Sequence, residues 1–159
     1  MPTRAPTALT LLSRAPAETA ALAARLAAVA GPGDILCLWG DLGAGKTVFA
    51  KGFADGLGVT GSTVASPSFI LMAEHTGRLR LFHLDLYRLA DAREALDGGL
   101  IDDRQADGVT LVEWPERLGD ALPSARLDVR LAIAGDQDRE VRLEAVGGGL
   151  DRYVEAARE

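Results

Sequence analysis

The stretch from Gly40 to Thr47 constrains this chain more than any other part of its sequence. Its letters, GDLGAGKT, fit G-x-x-x-x-G-K-[ST], the P-loop pattern of a loop that binds nucleotide phosphates. Glycines let the backbone wrap closely around an anion, so that several N–H groups point at one phosphate. Lys46 is predicted to contact the β- and γ-phosphates, and the Thr47 hydroxyl is predicted to bind Mg²⁺. The other loop residues predicted to surround the phosphates are Asp41, Leu42, Gly43, Ala44 and Gly45.

The segments on either side of this loop have the patterns that a phosphate loop requires. Residues 34–39 form an apolar run typical of a buried strand, and residues 47–54 have apolar side chains at helical spacing. Strand, loop and helix in this order bring the positive end of a helix dipole to the anion. Lysine content does not explain the match, because Lys46 and Lys51 are the two lysines of the chain. The alternative interpretation is a glycine-rich turn before a helix.

Composition indicates a globular protein. With 159 residues, 48% hydrophobic and 25% charged, we expect a single domain over residues 1–159, with loosely attached ends at 1–7 and 147–159. The net charge of −6 argues against broad binding to nucleic acid. No apolar run is long enough to cross a membrane and no signal-peptide core is present, so we expect a cytoplasmic protein. Cys37, the single cysteine, is predicted to pack in the core.

The rest of the chain alternates between strand and helix patterns. Further strands are predicted at 8–12, 69–75, 79–85, 109–112, 127–133 and 140–146, and further helices from residue 16, at 90–96 and at 150–158. Turn sequences at 76–78 and 135–138 predict two antiparallel hairpins. The hydroxyl-rich segment 62–69 predicts a loop, which is either a solvated linker or a nucleotide-sensing segment.

Two acidic residues stand where a phosphate loop needs partners, each at the end of an apolar strand. Glu113 directly follows residues 109–112, and Asp85 ends the strand predicted at 79–85. The carboxyl ends of strands in open α/β sheets converge on the ligand, so both acids are predicted to face the phosphates and Mg²⁺. For Asp85, a strand with a polar face is the competing interpretation.

Trp114, His75 and His83 lie near these acids in the sequence, and each has a structural interpretation. Trp114 directly follows Glu113 and is either a core residue or a ring that covers the nucleotide and excludes water. His75 and His83 have no Cys or His partner at zinc spacing, and we interpret both as structural or solvated.

Four sequence blocks occur together in a fixed order: GDLGAGKTVFAKG (40–52), SPSFILMAEH (66–75), HLDLYRL (83–89) and VEWPERL (112–118). In combination they closely resemble the TsaE (YjeE) family, small bacterial ATPases needed to make the threonylcarbamoyl modification of adenosine in ANN-decoding tRNAs. HLDLYR and VEWPE at this spacing are far more specific than the phosphate loop alone. The resemblance covers roughly residues 10 to 145. It implies an α/β fold of the P-loop NTPase type, with a mixed parallel and antiparallel sheet flanked by helices.

The resemblance also implies roles for the residues found above. ATP and Mg²⁺ are the implied ligands, with Lys46 and Thr47 in the phosphate and metal roles. Glu113 resembles the Mg²⁺ ligand, and Asp85 resembles the essential acid that orients water or metal. Trp114 is similar to a family tryptophan important for ATPase activity, which favours its functional interpretation.

Four further positions are implied by the resemblance. Ser66 and Ser68 fall in a block similar to the first switch loop, where the family usually has SPTF or SPTY and this chain has Ser68 in place of threonine. Thr19 and Arg139 lie where family members approach the nucleoside or the phosphates.

The implied function is ATP hydrolysis that is slow alone and faster with the partner proteins TsaB and TsaD. Hydrolysis resets the TsaB–TsaD enzyme between turnovers, and tRNA is contacted only through the complex. Two alternatives stay open. A small-molecule kinase needs an arginine-rich lid, and Arg88, Arg93 and Arg104 are not clustered. A non-hydrolysing switch binds nucleotide and signals. The absence of an N/T-K-x-D guanine signature favours ATP.

Overall fold

A seven-stranded sheet organises the residues that the computed structural model describes, which are 7–41, 43–59, 72–87 and 106–158. The strands are β1 (Thr7–Ser13), β2 (Ile35–Trp39), β3 (Met72–Thr76), β4 (Arg80–Asp85), β5 (Gly108–Glu113), β6 (Arg126–Ile133) and β7 (Arg139–Val146). The helices are α1 (Pro16–Ala27), α2 (Lys46–Gly56) and α3 (Asp151–Ala157), and Pro115–Ala121 forms a 3-10 helix. The predicted loop at 62–69 and helix at 90–96 lie outside the described residues. None of the described helices is long and apolar enough to cross a membrane.

The strand order is β1-β7-β6-β2-β5-β4-β3. β2 pairs in parallel with both β5 and β6, and β4 pairs in parallel with β5. The β3–β4, β6–β7 and β1–β7 pairs are antiparallel. This arrangement confirms the predicted mixed sheet and both predicted hairpins, and it puts β2, which leads into the phosphate loop, at the centre.

Two apolar clusters cover the faces of the sheet. The larger lies under α1, α2 and α3, and the smaller lies on the opposite face beside the 3-10 helix. Successive side chains of β2 point to opposite faces, so Leu36 and Leu38 enter the larger cluster and Cys37 enters the smaller one. A strand that is apolar on both faces is therefore buried on both, as the sequence predicted.

Helices α1 and α2 cross at very short range, because α2 carries glycines where it meets α1. A Cβ atom added at Gly52 would lie 2.3 Å from the Ala20 carbonyl oxygen, and one added at Gly56 would lie 2.6 Å from the Ala24 carbonyl oxygen. The backbones can approach this closely only in the absence of side chains at those two positions.

The C-terminal segment corrects one expectation. Residues 147–159 were expected to be loosely attached, but Tyr153 and Val154 of α3 are fully buried in the larger cluster. The Asp34 carboxylate accepts hydrogen bonds from the Tyr153 hydroxyl, the Arg152 guanidinium and the Gly31 N–H. Burial, reinforced by the bond to Asp34, raises the pKa of the Tyr153 hydroxyl far above its usual range. The helix that follows the glycines at 147–149 therefore packs its apolar face on the core.

The turn between β3 and β4 is tied to both long helices. The Arg78 guanidinium donates to the carbonyl oxygen of Ala27, the last residue of α1, at 2.8 Å and to that of Ala30, just after the helix, at 3.0 Å. The Arg78 backbone N–H donates to the Leu57 carbonyl oxygen at 2.7 Å, at the end of α2. A cation at this position also interacts favourably with the negative end of the α1 dipole.

Replacing Arg78 with alanine is expected to lower the free energy of unfolding by about 1–2 kcal/mol, because two helix-end carbonyls lose a charged donor. Urea unfolding followed by circular dichroism measures this change. Arg80→Ala is the control, because the Arg80–Glu74 ion pair is 3.8 Å long and exposed, and such pairs contribute less than about 1 kcal/mol. Equal effects of the two substitutions would contradict the helix-capping role.

Candidate nucleotide-binding site

The predicted phosphate loop lies between the end of β2 and the start of α2. Gly43 and Gly45 have φ values of +81° and +108°, in the region that favours glycine. A Cβ at Gly40 would lie 2.6 Å from the Leu131 carbonyl oxygen, so the loop also presses closely on β6. The backbone conformation therefore requires glycine where the sequence has it. Leu42 lies outside the described residues.

The start of α2 faces this loop with free backbone donors. The Phe49 N–H donates to the Gly45 carbonyl oxygen at 2.9 Å, so the N–H groups of Lys46 and Thr47 precede the first bond of the helix. No side chain in the described part of the chain caps this end of α2. The partial positive charge of a helix N-terminus is therefore available to an anion beside the loop.

The Lys46 ammonium lies at the mouth of this loop. Its Nζ donates to the Gly40 carbonyl oxygen at 2.6 Å and lies 3.3 Å from the centroid of a Trp114 ring. Burial lowers the pKa of Lys46, and the nearby carboxylates of Glu113, Glu116, Asp85 and Asp41 act in the opposite direction. A buried cation is thus held by a carbonyl, an aromatic face and several acids.

Asp85 and Glu113 are direct neighbours at the ends of β4 and β5. Their residues are 8% and 3% exposed, and the Asp85 Oδ1 accepts a hydrogen bond from the Tyr87 N–H at 3.0 Å. Leu38, near the end of β2, is the register partner of Glu113 on the other side. Three parallel strands therefore end together beside the loop, and both acids act electrostatically on Lys46. β4 is buried from Leu81 to Asp85, so the polar face that His83 and Asp85 share is not exposed to solvent.

Trp114 has an unusual backbone conformation next to these acids. Its φ of 59° and ψ of 50° are left-handed, and it is the single non-glycine residue with positive φ in the described ranges. Such a conformation costs about 1–3 kcal/mol and is retained only where the surroundings enforce it. The ring is half-buried, with the Tyr87 ring centroid 4.9 Å away. Trp114 therefore borders the smaller core cluster and also covers Lys46.

The remaining predicted residues differ in their distance from the loop. Arg139 contacts it directly, because its guanidinium donates to the Gly43 carbonyl oxygen at 3.2 Å. Thr19 is connected to Arg139 through Ser13. Thr19 is buried and its hydroxyl lies 2.6 Å from the Ser13 hydroxyl, and Ser13 of β1 is the register partner of Arg139 in β7. Thr47 is half-buried in the first turn of α2. Ser66 and Ser68 lie outside the described residues.

A family model described as threonylcarbamoyl adenosine biosynthesis protein TsaE matches residues 13–141. The chain belongs to the TsaE family. The protein named tRNA threonylcarbamoyladenosine biosynthesis protein TsaE from Bacillus subtilis (strain 168) is 47% identical over 141 residues, covering 88% of this chain and 87% of that relative. The protein of the same name from Treponema pallidum (strain Nichols) is 37% identical over 130 residues, covering 82% and 96%.

A solved structure gives the same result for the fold. The crystal structure of Bacillus subtilis YdiB superimposes with a TM-score of 0.82 at 38% identity, covering 98% of this chain and 97% of that one. Together with the mixed sheet and the loop between β2 and α2, this match confirms the predicted α/β fold of the P-loop NTPase type.

One contact at the site of this TsaE family member was not predicted from the sequence. His83, interpreted as structural or solvated, is completely buried, and its Nε2 lies 2.6 Å from Glu113 Oε2. Its other ring nitrogen, Nδ1, is buried and has no hydrogen-bond partner among the residues that the structure describes. The sequence spacing indicates that His83 is near the acids: His83 and Asp85 are two residues apart and therefore share one face of β4. The Nε2 of His75 is also buried and has no hydrogen-bond partner within the described ranges. Burial lowers the pKa of His75, and the nearby His83 acts in the same direction.

A second group that the sequence did not reveal supports the loop from the other face of the sheet. The Trp39 indole N–H donates to Asp128 Oδ1 at 2.8 Å, and the Arg126 Nε donates to the same oxygen at 2.9 Å. The Arg130 guanidinium lies over the Trp39 ring at 4.5 Å. Because Trp39 directly precedes Gly40, this buried network fixes the entry to the loop.

Cys37 has the structural role that the sequence predicted. It is completely buried in the smaller cluster. Burial, assisted by Asp128, raises the pKa of its thiol to about 12, so the reactive thiolate is not formed at neutral pH.

Proposed function

We propose that this protein is a cytoplasmic ATPase that acts in the formation of threonylcarbamoyl adenosine in ANN-decoding tRNAs. The relatives named above are tRNA threonylcarbamoyladenosine biosynthesis proteins, and the chain belongs to their family. The observation that carries the ATPase proposal is the position of Lys46, beside the loop at the start of α2 and within the electrostatic reach of Glu113 and Asp85. A cation opposite two buried carboxylates suits a triphosphate bound with a divalent metal.

The residues that hold the phosphates follow from the contacts described above. Loop N–H groups and the N-terminus of α2 supply donors and partial positive charge for the phosphate oxygens. Lys46 adds a full charge that neutralises the negative charge developing on the transferred phosphoryl group. Arg139, whose guanidinium donates to the Gly43 carbonyl oxygen, adds a second cation at the loop.

The donor set fits Mg²⁺. Thr47, Asp85 and Glu113 offer hard oxygen ligands, which Mg²⁺ prefers, and these three residues would hold it. Among the described residues, no group of three or more His, Cys, Asp or Glu side chains forms a metal-binding cluster. This suits an ion that arrives with the nucleotide, because Mg²⁺ is usually held by one or two carboxylates plus substrate phosphates and water. When bound, the ion neutralises charge on the β- and γ-phosphate oxygens.

The other residues of the site have supporting roles in this proposal. Asp85 helps to orient the attacking water, and the Trp114 ring, which contacts the Tyr87 ring, shields Lys46 from bulk solvent. We assign the transfer of the threonylcarbamoyl group to TsaD. Cys37 offers no nucleophile for it, because its thiol is buried and protonated. ATP hydrolysis here then resets the TsaB–TsaD enzyme between turnovers.

The test is phosphate release from ATP in the presence of Mg²⁺, by this protein alone and with TsaB and TsaD. We expect slow release alone, faster release with both partners, and repeated rounds of tRNA modification only when all three proteins and ATP are present. TsaB and TsaD without this protein are the control. Nucleotide-dependent binding to the partners without any phosphate release would instead indicate a non-hydrolysing switch. Transfer of labelled phosphate to a small acceptor would indicate a kinase.

A further inference from the structure

His83 and Glu113 form a buried contact, and His83 has no role in the ATPase reaction proposed above. A carboxylate can only accept, so the 2.6 Å contact places a hydrogen on His83 Nε2 that is donated to Glu113 Oε2. His83 is completely buried and Glu113 is 3% exposed. In the register of β4 and β5, Asp85 lies directly opposite Glu113, and His83 lies two residues behind Asp85 on the same face.

Packing alone does not account for a histidine at this position. The residues beside it in β4, Phe82 and Leu84, are buried and apolar. An apolar side chain at position 83 would also remove the unfavourable burial of the unpartnered Nδ1. It would, however, leave the buried Glu113 carboxylate without this donor. The contact with Glu113 is therefore the favourable interaction that offsets the burial of a polar ring.

We propose that His83 is a positioning residue that orients Glu113 toward the metal-bound phosphates. The inference rests on the proposed function, because it concerns the same site. By engaging Oε2 from within the sheet, His83 fixes the rotation of the carboxylate and leaves Oε1 for the ligand. Carboxylates and imidazoles that hold metals generally need such a hydrogen-bonded partner, and loss of the partner typically costs about 10–100-fold in affinity or activity.

Two amide substitutions separate hydrogen-bond donation from packing. The side-chain nitrogen of glutamine reaches the position of His Nε2, whereas that of asparagine reaches only the position of Nδ1. His83→Gln therefore keeps a donor for Glu113, and His83→Asn keeps a polar group of the same kind without that donor. Thermal unfolding of both variants gives the temperature below which each is fully folded, and all other measurements are made there.

We expect His83→Asn to lower kcat/KM for ATP hydrolysis about 10–100-fold, with KM for ATP rising together with the Kd measured in Mg²⁺. His83→Gln is expected to stay within about 3-fold of the unsubstituted protein. The inference is overturned if His83→Asn retains full activity. It is equally overturned if His83→Gln is as impaired as His83→Asn, because a purely structural histidine would make both amides defective.

A binding measurement keeps this inference separate from the proposed function. The Kd for ATP is determined in Mg²⁺ and in EDTA, and we expect His83→Asn to weaken binding in Mg²⁺ and to leave binding in EDTA unchanged. This result does not depend on turnover. If the unsubstituted protein binds ATP but never hydrolyses it, the ATPase proposal fails, and the Mg²⁺ dependence of binding still decides the role of His83. Equal effects of His83→Asn with and without Mg²⁺ would overturn it.

A double-substitution cycle with Glu113 completes the test. If His83 acts through Glu113, His83→Asn has no further effect on the Mg²⁺-dependent part of ATP binding in a protein that already carries Glu113→Gln. Independent, multiplicative effects of the two substitutions would contradict positioning through this carboxylate.

Discussion

Replacing Lys46 with alanine is expected to reduce ATP hydrolysis about 100-fold or more, the usual scale for removing one preorganised group that stabilises a transition state. Among the described residues, Lys46 is the one lysine at the loop: its ammonium lies 2.6 Å from the Gly40 carbonyl oxygen and within the electrostatic influence of Glu113 and Asp85. Without it, the negative charge that develops on the transferred phosphoryl group loses its nearest ammonium. Phosphate release at saturating ATP and the Kd for ATP measure the loss.

The chain contains its own control for this substitution. Lys51 is the other lysine, lies in the same helix α2 and is exposed. Lys51→Ala changes the net charge by the same amount, and alanine is a good helix former, so we expect activity within about 2-fold and unchanged stability. If Lys46→Ala hydrolyses ATP as well as Lys51→Ala does, the phosphate-binding role of the loop is wrong.

The phosphate loop could be predicted from sequence because its constraints are local. Glycines at fixed spacing, an apolar strand before them and a helical pattern after them are all contained in residues 34–54. The convergence of Asp85 and Glu113 followed from a general rule about the carboxyl ends of parallel strands. That rule could not supply the direct register between them, because register depends on the pairing of whole strands that are distant in the chain.

The features that escaped prediction depend on contacts across the sheet. His83 was interpreted as structural or solvated, and its contact with Glu113 depends on the pairing of β4 with β5. The left-handed backbone of Trp114 has no signature in its residue type, since bulky residues rarely adopt it. The C-terminal helix was predicted, but its attachment to the core was not, because the partner of Tyr153, Asp34, is far away in sequence. The local sequence pattern therefore located the phosphate loop. How His83, Trp114 and α3 are held depends on contacts between residues that are distant in the sequence.

The second large effect concerns the helix crossing that supports the loop. Gly52→Ala is expected to lower the free energy of unfolding by about 3 kcal/mol, at the upper end of the usual cost of overpacking. The new Cβ would lie 2.3 Å from the Ala20 carbonyl oxygen and 2.6 Å from its Cα, so α1 and α2 must separate. The higher helix propensity of alanine offsets only about 1 kcal/mol of this loss in the free energy of unfolding. A fall in Tm of about 6–12 °C is expected for a chain of this size.

Two further variants show whether the steric clash is the cause. Gly135→Ala makes the same chemical change where the nearest atom is the Asp138 Cβ at 3.4 Å, so we expect little change in Tm. Ala20→Gly combined with Gly52→Ala should not restore stability, because the clashing atoms belong to the Ala20 backbone and remain in glycine. Rescue by Ala20→Gly would mean that the volume of the Ala20 side chain limits the crossing.

Because α2 begins at Lys46, separation of the helices should also weaken ATP binding. A destabilised variant with an unchanged Kd for ATP would show that the loop is held by β2 and β6 alone.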